Sequence, residues 1–263
     1  MSRYLKYSFK NIEDITDKNL YNIYKKWKIW LLTFRNLSKN TSHAYTYDFK
    51  YFLNFLRLHY EINKITLNTI KKLEIKDFRA WVSFLNSKKM LLGAKSLARA
   101  RASLKSFFNF AILNRDLKDS NLFELASPKL PKNLPRPLSN NQIEKLLSKI
   151  DEEKNNFIKA RNKAFIIILW GAGLRIGEAL SIKVDDLKND YLIILGKGKK
   201  ERLIPLLPQV QKALSLWIVE RSKIKNIQTK KLFTNLNGKK ITPRYFQKFF
   251  SNLRNELDLD INF

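Results

Sequence analysis

Four prolines, Pro128, Pro131, Pro135 and Pro137, fall within residues 127–139 of a 263-residue chain, interleaved with Lys129, Lys132 and Arg136. Proline withholds a backbone N–H and locks φ, and it pushes the residue before it to extended angles. No helix or central strand runs through such a stretch, so each flank must find its own core. The flanks are each of ordinary domain size. The reading is two domains, residues 1–126 and 139–263, joined by an extended, basic linker over 127–138.

The first half carries helical spacing. Residues 19–36 place Tyr21, Ile23, Tyr24, Trp27, Trp30, Leu31 and Phe34 on one broad apolar face. Leu37-Ser38-Lys39-Asn40-Thr41 breaks it, and Ser38 or Asn40 is placed to cap a second helix carrying Tyr45, Phe49, Phe52, Leu53 and Leu56. Residues 76–85 read as a third helix with Phe78, Trp81, Val82 and Leu85 inward. Residues 95–113 read as a fourth, with Leu97, Leu104, Phe107, Phe108 and Phe110 apolar. Aromatics at i, i+3, i+4 spacing are core, not base-stacking platforms. The polar side of the fourth helix is basic, with Lys95, Arg99, Arg101 and Lys105 beside the small Ala98, Ala102 and Ser106. Such a face suits a major groove. A solvated charged face explains it equally.

The second half mixes helices and strands. Ser139 caps a helix to Ile150, and residues 161–170 form a buried helix interrupted by Gly171-Ala172-Gly173. Residues 175–182 begin another. Residues 191–195 and 202–206 read as strands about a Gly196-Lys197-Gly198 turn. Residues 209–223 are helical and Leu232-Phe233 is extended. Thr242, as cap, and Pro243 open a last helix to about Leu257. The fold class expected is mainly α with a small β-sheet (α+β).

Lys and Arg number 51 against 23 Asp and Glu, a net charge of +28. Self-repulsion of that size calls for an anionic partner, and nucleic acid is the usual one. AT-rich coding, which favours Lys and Asn, is the bland alternative. The absence of cysteine excludes disulfides, thiolate zinc sites and cysteine nucleophiles. Residues 1–12 contain no apolar stretch of a signal peptide, and no run of 18 apolar residues occurs. A cytoplasmic protein is expected.

Two motifs carry chemistry. Gly171-Ala172-Gly173-Leu174-Arg175-Ile176-Gly177-Glu178-Ala179-Leu180 feeds an arginine into the first turn of a helix, with Glu178 three residues on. A helix N-terminus and a guanidinium together suit a phosphate; an ordinary Arg–Glu helix pair gives the same pattern. Leu195-Gly196-Lys197-Gly198-Lys199-Lys200-Glu201-Arg202-Leu203-Ile204-Pro205 places lysines on a tight turn, which either enters a groove or is simply exposed.

Together the two resemble the first motif and hairpin lysine of the tyrosine recombinase (phage integrase) family, with Lys197 following Arg175 by 22 residues. The stretch from Leu37 through His43, Tyr45, Tyr47 and Asp48 to Phe49 is similar to that family's core-binding signature. Order and length resemble the short bacterial Xer recombinases, the C-like member most. The resemblance implies a helical SAM-like core-binding domain and a recombinase catalytic domain that clamp DNA between them. It implies strand exchange by two transesterifications through a 3′-phosphotyrosyl link, with neither nucleotide cofactor nor metal. It assigns Arg175 to the charge developing on the scissile phosphate, Lys197 to protonation of the 5′-oxygen leaving group, and Glu178 to orienting the site. Lys199 and Lys200 are secondary candidates for the acid and, with Arg202, DNA contacts. The implied partners are double-stranded DNA at a dif-type site, a homo- or hetero-tetramer with a second Xer recombinase, and a divisome DNA translocase, with no membrane. The implied role is chromosome dimer resolution in segregation and cell division.

One departure matters. The family's second block is His-x-x-Arg followed by the nucleophilic tyrosine, and the only histidines are His43 and His59. Of the tyrosines in the second half, Tyr191 begins a strand and Tyr245 sits in the last helix; both read as structural. The expectation is a catalytic domain incomplete at its C-terminus that binds DNA without cutting it. An inactive DNA-binding regulator of the same fold, a mobile-element integrase and a non-specific RNA-binding protein are the alternatives.

Overall fold

The computed structural model describes residues 10–87, 92–124, 138–195 and 201–259. The chain divides into two compact units, Met1–Asn133 and Leu134–Phe263. Most of the proposed linker, and Lys197, Lys199 and Lys200, lie outside the described residues.

The N-terminal unit is helical: α1 (Ile12–Ile15), α2 (Lys18–Thr33), α3 (Lys39–His59), α4 (Leu67–Lys71), α5 (Ile75–Asn86) and α6 (Ala94–Leu113). Side chains start the helices. Asp17 accepts the Leu20 N–H, and Ser38, not Asn40, accepts the Thr41 N–H. The core is aromatic. Trp27, Phe49 and Phe107 are fully buried, with Phe49 and Phe107 stacked at 4.0 Å and Trp27 edge-on to Phe107 at 5.5 Å. The Trp27 indole N–H donates to Ser106 Oγ at 3.1 Å, so a residue read as lying against DNA ties α6 to α2. On α2 Leu20, Ile23, Trp27 and Leu31 are buried and Tyr21, Tyr24 and Trp30 pack against them, as expected; Phe34, expected on the same face, lies just past the helix and is 79% exposed.

The C-terminal unit holds α7 (Asn140–Asp151), α8 (Asn156–Gly171), α9 (Ile176–Ser181), β1 (Tyr191–Leu195), β2 (Glu201–Pro205), α10 (Pro208–Ser222) and α11 (Pro243–Glu256). The strands pair antiparallel, from Tyr191 opposite Pro205 to Leu195 opposite Glu201. Ser139 and Gln142 form a reciprocal capping box at α7. α8 begins five residues before the expected start, because Asn155 accepts the Ile158 N–H, and it runs through Gly171. Thr242 occupies the cap of α11 without a side-chain hydrogen bond; Pro243 sets the first turn. Phe165 stacks on Phe246 and meets Phe233 edge-on. The buried Trp217 donates its indole N–H to the Leu232 carbonyl at 3.0 Å, which fixes the segment carrying Leu232 and Phe233 beneath α10.

Candidate nucleic-acid interface

α8 leads into the turn that carries Arg175. Gly173 has φ +60°, a region where a side chain is strained, and it lets the chain reverse before α9. Leu174 is buried, which anchors the turn, and Arg175 becomes the residue preceding α9. Glu178 closes the first turn: its Oε2 accepts the Arg175 backbone N–H at 2.9 Å. Its Oε1 accepts from Arg175 Nη1 at 3.1 Å, and Oε2 also accepts from Arg202 Nη2 at 3.2 Å. One carboxylate, 15% exposed, therefore holds two guanidiniums from different elements. Chiefly through the Arg175 backbone N–H, and then through the two arginines, the Glu178 carboxyl is held below the usual carboxylate range against the opposing effect of burial.

The Arg175 side chain is 83% exposed and that of Arg202 is 46% exposed. A guanidinium has five N–H donors in a fixed fork, and Glu178 takes few of them. The trio carries net positive charge and presents its free donors to solvent, a geometry suited to bidentate contact with a phosphate. Sequence reading paired Arg175 with Glu178; the link from Glu178 to Arg202 required the hairpin register.

The basic face expected on α6 does not hold together. At 3.6 residues per turn, Lys95 and Arg99 lie about 120° around the helix from Arg101 and Lys105. Arg99 is exposed but binds Asp48 with two bonds, Nε to Oδ2 at 2.8 Å and Nη2 to Oδ1 at 3.0 Å. Asp48 is buried, so this pair fastens α6 to α3. Arg101 is buried, not displayed on a polar face, and burial pulls its guanidinium below the ordinary arginine range. Among the described residues its Nε and Nη1 have no hydrogen-bond partner. Lys105 is half-buried over the Phe123 ring at 6.0 Å. Only Lys95 and Arg99 remain on a solvent-facing surface of this helix.

Tyr245 is committed elsewhere. Its hydroxyl accepts from Nη2 of the buried Arg161, whose Nε and Nη2 also donate to Asn162 Oδ1. Arg161 lies ten residues, about 15 Å, before the end of α8 that leads to Arg175. Sequence reading missed Asp48 and Arg161 as structural anchors, because a charged residue inside an apolar helical pattern shows its partner only in three dimensions. Among the described residues no group of His, Asp and Glu is arranged to hold a metal ion, and no helix is long and apolar enough to cross a membrane.

Comparison with known proteins agrees with these units. Residues 136–263 match the phage integrase family, and residues 24–115 match the phage integrase N-terminal SAM-like domain. Tyrosine recombinase XerC of Rickettsia prowazekii (strain Madrid E) is 35% identical over 234 residues, covering 88% of this chain and 75% of that protein. XerC of Rickettsia canadensis (strain McKiel) is 32% identical over the same shares. Among solved structures, XerH site-specific recombinase bound to a palindromic difH substrate has a similar fold, with TM-score 0.65 and 23% identity over 99% of this chain and 78% of that one. Lambda integrase (residues 75–356) bound to DNA also has TM-score 0.65, at 14% identity over 92% and 80%. On the first-motif arginine in its turn, the paired hairpin strands and relatives this similar across three quarters of their length, the chain belongs to the tyrosine recombinase family.

Proposed function

We propose that the chain is an Xer-type site-specific recombinase subunit that grips duplex DNA, with Arg175 on the backbone phosphate at the point of exchange. The Glu178 carboxylate holding both Arg175 and Arg202 carries this reading: it fixes two cationic forks while leaving their outer donors open. Lys197 is proposed as the proton donor to the leaving oxygen, with Lys199, Lys200, Lys95 and Arg99 as backbone contacts. Lys105, half-buried, is kept as a further backbone contact, whereas the buried Arg101 is not retained. The proposed domains are the helical DNA-gripping domain over 1–126, the linker over 127–138 and the catalytic domain over 139–263. A dif-type site, a tetramer with the same or a second Xer recombinase, a divisome DNA translocase, a cytoplasmic location and a role in resolving chromosome dimers follow from the likeness to the XerC relatives.

These 263 residues contain no His-x-x-Arg, and Tyr245 is held by Arg161. The chain as it stands is therefore proposed to bind without forming a phosphotyrosyl bond. A nicked suicide duplex tests this. Incubated with the purified chain it is expected to give a mobility shift that disappears on denaturation. A covalent protein–DNA adduct overturns the inactivity, and absence of any shift overturns the DNA reading.

A further inference from the structure

A second feature of the C-terminal unit breaks a rule of sheet stability. The Leu232 N–H donates to the Ile182 carbonyl at 2.8 Å, and the Val184 N–H to the Lys230 carbonyl at 3.0 Å. These bonds flank an antiparallel bridge in which Lys183 faces Lys231. That is the non-hydrogen-bonded position, where opposed side chains come closest. Like charges placed directly opposite one another destabilise a ladder. On the far side of the same segment Thr234 bridges to Lys240. Burial, and after it the ammonium of Lys183, holds Lys231 below the usual lysine range; Lys240 adds to this and Asp186 opposes it. Asp186 itself accepts the Lys183 backbone N–H at 2.8 Å. Among the described residues no carboxylate comes within ion-pair distance of these three ammoniums. Lys231 Nζ donates to the carbonyl of Ser181, the last residue of α9. α9 begins directly after Arg175 and its six residues span about 9 Å.

Asp186 and the Ser181 carbonyl offset this repulsion only in part, with no ion pair among the described residues, and a local rule so broken marks a place where further compensation comes from outside the chain. We propose that Lys183 and Lys231 form a second phosphate-binding station, which takes a DNA backbone phosphate close to the one held at Arg175. A phosphate seated between the two ammoniums converts their mutual repulsion into attraction. Phosphates recur about every 3.4 Å of rise along a strand, so a station one short helix away from Arg175 engages the same backbone path. The inference rests on the DNA reading above. Its rival is that Lys231 merely satisfies the last carbonyl of α9, which affects stability and not DNA.

The test uses the full chain and a fluorescein-labelled duplex of arbitrary sequence, with anisotropy followed from low to moderate salt. For Lys183→Gln/Lys231→Gln, the slope of log K against log salt is expected to become shallower by about 1, with at least a tenfold (about) loss of affinity at low salt. Lys183→Gln alone removes an ammonium that makes no ion pair among the described residues, so its smaller loss in the same direction does not depend on folding of the double variant. Lys231→Arg is expected to restore the slope. An unchanged slope in both Gln variants, with the wild-type chain binding normally, overturns this inference alone. A wild-type chain that does not bind the duplex overturns the DNA reading and this inference together.

Discussion

Replacing Arg99 with alanine separates a structural role from a DNA-binding one. Arg99 is the two-bond partner of Asp48, whose side chain is only 4% exposed. Removing the guanidinium leaves a carboxylate in the core between α3 and α6. Removing one partner of a fully buried pair costs about 3–5 kcal/mol. The Arg99 side chain is 42% exposed, so water screens the pair and admits itself on truncation. The expected loss is therefore nearer to about 2 kcal/mol at neutral pH. The pH dependence fixes the cause. Burial raises the Asp48 carboxyl above its ordinary value, and the Arg99 hydrogen bonds and charge oppose that rise. A raised acid favours the fold when protonated and loses that contribution as pH climbs through its folded value. Without Arg99 the carboxyl rises further. The deficit of the variant is then small in acid, where Asp48 is neutral in both proteins, and grows toward neutrality. Urea titrations followed by circular dichroism across that range measure it, and Asp48→Asn in the Arg99→Ala background is expected to recover most of the loss. A deficit below about 0.5 kcal/mol at neutral pH, or one that does not change with pH, refutes the reasoning.

Further outcomes follow from other contacts. Gly238→Ala places a Cβ 2.3 Å from the Asn226 carbonyl oxygen at a φ of +68°. It is expected to destabilise the C-terminal unit by at least about 2 kcal/mol, read as a lower melting temperature. Glu178→Ala removes the acceptor of the Arg175 backbone N–H and is expected to cost about 1 kcal/mol. Because the folded Glu178 carboxyl lies below its ordinary range, that contribution is present above the unfolded value and lost as pH falls through the folded one. The gap to wild type should therefore narrow in acid; a gap that widens contradicts the assignment. Phe165→Ala empties the site between Phe246 and Phe233 and is expected to cost about 3–5 kcal/mol, seen as loss of the cooperative melt of this unit.

What the sequence disclosed followed from periodicity and punctuation. Ser38, Ser139 and Pro243 marked helix starts because capping is local chemistry that spacing reveals. The strand over Tyr191–Leu195 was legible from its unbroken apolar run. α1 and α4, four and five residues long, are too short to show a period. Arg175 and Glu178 were legible together because three residues on a helix bring them to one side. Arg202 joined them only through the pairing of β1 with β2. On α6 the same logic misled: basic residues near in sequence were assigned one face, yet Arg101 turns into the core and Arg99 reaches Asp48 on another helix. Lys183 and Lys231, 48 positions apart, meet across a bridge that no local pattern announces.

The central claim is that Arg175 meets a DNA phosphate, and Arg175→Ala tests it most directly. Glu178 keeps Arg202 and the backbone cap in this variant, so the fold should melt unchanged. A charge-assisted contact of this kind is worth about 1.5–3 kcal/mol, which corresponds to a loss of duplex affinity of at least about tenfold. Anisotropy titration of wild type and Arg175→Ala against one labelled duplex at fixed salt gives the answer. That loss is expected together with an unaltered melt; equal affinities for the two proteins contradict a phosphate contact at Arg175.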